Sequence, residues 1–179
     1  HRSDIYTHYR GLQIYLARQA FPAALDVFRS MLQDKNNTLW FTQNAWEQLN
    51  KAKQHEAAAA VICELRDSGK LHGHYAGRCL AEYELQQLGV KKFEQALLKK
   101  SLNSDFDKRY LEGYIHTLID TKNQLPWKII EQCESIIAGD LKNWGLVGYL
   151  HVTQGHWMEA INWFKRGPLL AQAEAWMLY

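Results

Sequence analysis

The chain has 179 residues, 47% apolar and 22% charged, with a formal net charge of +2. That is length enough for a substantial core, and the near-neutral balance gives no electrostatic reason to expect nucleic acid or an anionic membrane as a partner. No uninterrupted apolar run approaches the roughly eighteen residues of a membrane helix, and Cys63, Cys79 and Cys133 are too few and too scattered for a disulfide framework. The cysteines read as small buried apolar groups in a reducing, cytoplasmic setting. His1-Arg2-Ser3-Asp4 has neither the apolar stretch of a secretion signal nor an initiator Met, so the sequence reads as a piece of a longer polypeptide.

Taken in chain order, apolar residues at three- and four-residue steps predict helices near 3–18, 21–33, 39–52, 55–68, 72–88, 91–102, 106–121, 126–138, 141–154, 157–166 and 169–179. Pro22 opens the second of these and Pro126 the eighth, positions where a missing N–H costs nothing. Thr38, Ser104 or Asp105, and Asp140 are candidate N-caps. Ala57–Ala60 is a run of strong helix formers inside the fourth helix. Gly69, Gly89 and Gly155 mark turns, and Gly167 before Pro168 closes the tenth helix. The stretches Gly89–Lys92 and Thr121–Leu125 read as turns longer than the others.

Within this all-α array a motif recurs on alternate helices: an aromatic residue or His, then a small or apolar residue, then an apolar one four later. Its copies are Phe21, Ala24 and Phe28; His55, Ala58 and Ile62; and Trp157, Ala160 and Phe164, with two degraded copies, Phe93, Ala96 and Lys100, and Trp127, Ile130 and Glu134, that carry a charge in the last place. The anchors at 24, 58, 96, 130 and 160 are separated by 34, 38, 34 and 30 residues, a mean of 34. A repeat of about 34 residues is the period of tetratricopeptide units. Trp144, Val147, Gly148, Gly155, Trp157, Ala160 and Phe164 resemble the signature of that family, with His151 standing where the family usually has Tyr.

The resemblance implies a right-handed α-α superhelix of about five helical hairpins plus a terminal helix. The units fall near 3–37, 38–71, 72–104, 105–139 and 140–168, and a sixth begins at 169–179. Each hairpin alone buries too little surface to stand, and stacking supplies the shared core. The function implied is a non-catalytic scaffold or regulatory arm that binds a protein or peptide in a concave groove lined by first helices. Its inward positions correspond to Tyr6, Tyr9, Gln13 and Leu16; to Trp40, Gln43, Glu47 and Asn50; and to Lys142, Gly145, Tyr149 and Val152. Aromatic rings there offer contact area and amides can bond a peptide backbone. One subfamily grips carboxylate tails with Lys and Asn where this chain has Tyr9 and Gln13, so a chaperone-tail receptor is not expected.

Chemistry beyond binding finds little support. No phosphate loop, nucleophile elbow or paired-carboxylate motif occurs, so no catalytic, cofactor-binding or metal residue is assigned. His72, His74 and Cys79 cluster in sequence, but a zinc site draws on two such clusters and no second exists. The alternative function is RNA binding of the pentatricopeptide type, which Ala24–Arg29 and Tyr114–Asp120 also resemble. Against it stand the Trp-rich pattern, the irregular 30- to 38-residue steps and the near-neutral charge, since RNA readers need a basic groove. Trp176, Leu178 and Tyr179 would be exposed at the end of the chain, which raises a homodimer through that end.

Overall fold

The computed structural model describes residues 4–71, 75–99, 106–107, 109–111, 113–114, 148, 151–152 and 154–166. Expectations resting on His72, His74, residues 100–105, residues 115–147, Tyr149 and residues 167–179 lie outside these. Among the described residues every regular element is an α-helix, and these helices pack on one another. They are α1 (Ile5–Ala17), α2 (Phe21–Gln33), α3 (Leu39–Lys51), α4 (His55–Asp67), α5 (Ala76–Leu88), α6 (Val90–Lys99) and α7 (Trp157–Lys165). The described residues at 106–114, together with Gly148, His151 and Val152, are also helical.

Local chemistry accounts for the boundaries. Asp4 caps α1, its Oδ1 accepting from the Tyr6 N–H at 3.2 Å. Pro22 lies in the first turn of α2. Thr38 holds the N-cap position of α3, but its side chain makes no cap bond. The entry to α3 is instead pinned by its neighbour, Asn37, whose buried Nδ2 donates to Thr42 Oγ1 at 2.9 Å. Each helix then turns one stripe inward: Tyr9 and Leu12 on α1, Ala24, Phe28, Met31 and Leu32 on α2, Ala45, Trp46 and Leu49 on α3, Ala58, Ile62 and Leu65 on α4. Burying such a Leu, Met or Phe contributes about 1.5–3 kcal/mol each.

The hairpin turns are copies of one another. Ala20 N–H donates to the Tyr15 carbonyl at 2.9 Å, Gln54 N–H to Leu49 at 2.8 Å, and His156 N–H to His151 at 2.9 Å. In each, the residue before the donor is left-handed: Gln19 at φ 56°, Lys53 at 59° and Gly155 at 75°. This six-to-one bond over a left-handed residue is the Schellman closure of a helix. The three positions are 34 and 102 residues apart, the second being three times the first.

Contacts between hairpins keep the same interval. Arg29 of α2 pairs with Glu64 of α4 at 2.5 Å, 35 residues on. Tyr6 meets Phe41 with ring centroids 4.9 Å apart, and Gln43 of α3 faces Arg78 of α5. Since each short turn reverses the chain, these contacts join helices that run the same way, α1 with α3, α3 with α5 and α2 with α4. In the fifth unit the Phe164 ring lies over Gly148, where an added Cβ would come within 2.7 Å of it.

The third unit departs from expectation. Ala96, assigned as its anchor, is exposed, whereas Phe93 and Leu97 are each 1% accessible. Gly89 is the reason. At φ 71° it reverses the chain in a single residue, so α6 begins at Val90, where a long turn was expected. Counted from the helix start, Phe93 occupies the place of Ala24, Ala58 and Ala160, and the first two steps become 34 and 35. A bulky ring in that place stacks on Tyr114 at 4.6 Å and Tyr110 at 5.6 Å. Close backbone approach moves elsewhere: a Cβ on Gly77 would lie 2.5 Å from the Phe106 carbonyl, and one on Gly113 would lie 2.7 Å from Arg78 Cα.

Candidate partner-binding face

Parallel first helices set their outward stripes side by side. On α1 that stripe carries Tyr6, Arg10 and Gln13; on α3 it carries Trp40, Gln43, Asn44 and Glu47. The start of α5 continues it with Tyr75, Arg78 and Glu82, each 35 residues beyond Trp40, Gln43 and Glu47.

The rings form one cluster. Tyr6 and Trp40 each stand almost perpendicular to Phe41, at 84° and 87°, with centroids 4.9 Å away. Tyr9 packs behind, 5.5 Å from Trp40 and 5.7 Å from Phe41. Edge-to-face contact at these distances is favourable in itself, and it leaves no room between the touching rings for a cation. Exposure separates their roles. Tyr6 is 61% and Trp40 55% accessible, while Tyr9 is 8%. Tyr9, expected as a groove contact, is thus a packing residue that props up the two exposed rings. Along the same helix Asn44 Nδ2 donates to the Trp40 backbone carbonyl at 2.8 Å.

Polar groups follow along the stripe. Gln13 Oε1 accepts from Arg10 Nη1 at 3.4 Å. With its carboxamide oxygen oriented by hydrogen bonding, Gln43 accepts from Arg78 Nε at 3.2 Å and Nη1 at 3.1 Å. Arg78 also reaches Glu82 at 3.7 Å along its own helix. Glu47 is exposed, and Asn50 is half-buried with its Oδ1 enclosed. Leu16 packs on the core rather than facing outward. Compared with protein-family models, curated proteins and solved structures, the chain matches none.

The face therefore offers two propped aromatic rings followed by a run of amides and one buttressed guanidinium. Sequence spacing picks out Tyr6, Gln13, Trp40, Gln43 and Glu47 of these, but not Arg10 or Asn44. It leaves the third unit unassigned, and with it Tyr75, Arg78 and Glu82, because anchoring on Ala96 makes the steps irregular. The 35-residue offset from Trp40, Gln43 and Glu47 is the signal that recovers them.

Elsewhere, burial pushes the Cys79 thiol well above its ordinary range, so it stays protonated and unreactive at neutral pH. Among the described residues no three His, Cys, Asp or Glu side chains gather as a metal would need, and no helix is long and apolar enough to cross a membrane.

Proposed function

We propose that this chain is a tetratricopeptide-like helical array that holds a protein or peptide partner along the stripe from Tyr6 and Trp40 to Arg78, without catalysis. The observation that carries the reading is the pair of rings more than half exposed yet held by contact with Phe41 and Tyr9. Rings already immobilised lose little entropy on binding, which is why Tyr and Trp dominate binding hot spots. Gln13 and Gln43, further along the stripe, bear amide donors and acceptors of the kind an extended backbone bonds. The repeated turns and constant offset support the superhelical arrangement, since equal steps between parallel helices build a continuous wall.

The test is selection of binders from a random peptide library, followed by titration against Tyr6→Ala and Trp40→Ala. Both side chains are largely exposed, so the variants should keep their helical circular dichroism. Truncating a ring that anchors a ligand costs 2 kcal/mol or more, about thirtyfold in affinity. Selected peptides that bind both variants as well as the wild type would remove this face from consideration.

A further inference from the structure

We infer that the edge of the array where first helices turn into second helices is a cationic rim that binds an acidic polypeptide segment. Because α1, α3 and α5 run parallel, their C-terminal ends share one edge. That edge carries Arg18 after α1, Lys51 and Lys53 at the end of α3, and Lys91 and Lys92 just after α5, all exposed. None of the five has a carboxylate within 4 Å. Away from it Arg29, Arg66 and Arg78 are each paired with an acid, and Lys35 and Lys70 stand singly at two separate turns of the opposite edge. The two carboxylates at the starts of α4 and α6, Glu56 and Glu94, are outnumbered by the five cations; Glu94 is half-buried and accepts from the Tyr114 hydroxyl at 3.1 Å.

A second observation is energetic. Lys91 and Lys92 sit in the first turn of α6, where the helix dipole disfavours cations, and no acid accompanies them there. They detract from α6 stability, and an anionic partner gives them a use.

The chemistry favours carboxylates over nucleic acid. Four of the five cations are Lys, point charges on flexible stems without the planar fork that grips phosphate. On α1 to α6 the two rings more than half exposed, Tyr6 and Trp40, stand near the opposite ends of their helices, about 18 Å from the rim at 1.5 Å per residue. Near the rim itself Tyr15, 37% accessible, is a single exposed ring, where a strand of bases stacks on several. With helix axes roughly 9–10 Å apart, the rim spans about 20 Å, which an extended acidic segment of about seven residues covers. This surface is separate from the ring stripe and stands whether or not that stripe binds.

The experiment compares two variants of equal net charge, Lys91→Glu with Lys92→Glu on the rim and Lys35→Glu with Lys70→Glu on the opposite edge. The probe is a fluorescein-labelled peptide of about eight residues, Glu at alternate positions, followed by anisotropy at low and physiological salt. The rim variant should bind roughly tenfold more weakly than the opposite-edge variant, with wild-type binding falling as salt rises. It should also melt at a higher temperature than wild type, because acids now occupy the α6 N-terminus; weakened binding therefore cannot be ascribed to unfolding. Equal binding by the two variants overturns the inference. So does tighter binding of a single-stranded RNA or of phosphatidylserine vesicles than of the peptide at matched salt, which reassigns the rim to phosphate.

Discussion

Replacing Gln19 and Lys53 by Gly should stabilise the protein, because both residues hold a left-handed conformation that Gly155 holds in the equivalent turn. An L-residue with a Cβ pays about 1–2 kcal/mol in that region. Adding a glycine returns roughly 0.5–1 kcal/mol of this as extra freedom in the unfolded chain. The net gain is about 0.5–1 kcal/mol per site, and the sites are far enough apart to add, giving about 1–2 kcal/mol for the pair. In a chain of this size that raises the melting temperature by roughly 2–8 °C. The assay is calorimetry with urea denaturation, and Lys53→Gln separates the backbone effect from loss of the Lys53 charge, since Gln removes the charge but keeps the strained Cβ. The converse, Gly155→Ala, should destabilise. If Lys53→Gly lowers stability as an interior helix glycine does, the turns are not copies of one another, and the 34-residue structural period fails with them.

Gly77→Ala and Gly113→Ala should each cost about 1–3 kcal/mol in urea denaturation, because the obstructing atoms are backbone and the helices must part to admit a methyl group. Phe93→Ala should cost about 3–5 kcal/mol while Ala96→Gln changes little, a contrast that equilibrium unfolding would reverse if Ala96 were the true anchor. The Arg29 guanidinium, by hydrogen bonding, holds the exposed Glu64 carboxyl below its ordinary value of 4.5. A lowered folded-state value means that the contribution is present above the unfolded value and lost as pH falls through the folded one. Wild type should therefore exceed Glu64→Gln slightly in denaturant midpoint at neutral pH, and the difference should close in acid.

Much of the helical layout was legible because its signals are local. Pro22, Gly69, Gly89 and Gly155 punctuate the chain where the backbone needs them, and the described helix boundaries fall within four residues of the spacing-based ranges. Gln19 and Lys53 gave no such signal, since nothing in their side chains announces a left-handed turn; only their offset from Gly155 does. The third unit was misread for a different reason. Ala96 satisfies the composition of the motif, but the rotation of α6 about its axis depends on how many residues Gly89 needs to reverse the chain. One residue or three cannot be told from Gly89–Lys92, since Val90–Lys92 suit a helix as well as a turn. Tyr9 illustrates a similar limit. Its spacing puts it on the outward stripe, yet the bulk of Trp40 and Phe41 across the helix pair closes over it.

The 35-residue spacing from Arg29 to Glu64 and from Gln43 to Arg78 has a consequence for how such a chain can grow. Joining each hairpin to its predecessor closes a loop of nearly fixed length, so the entropy of closure stays level from one addition to the next. Folding speed tracks how local the contacts are, and a longer version would form its units at the same pace as a shorter one. Duplicating one such stretch of the gene would append a working unit without rewriting any contact already made.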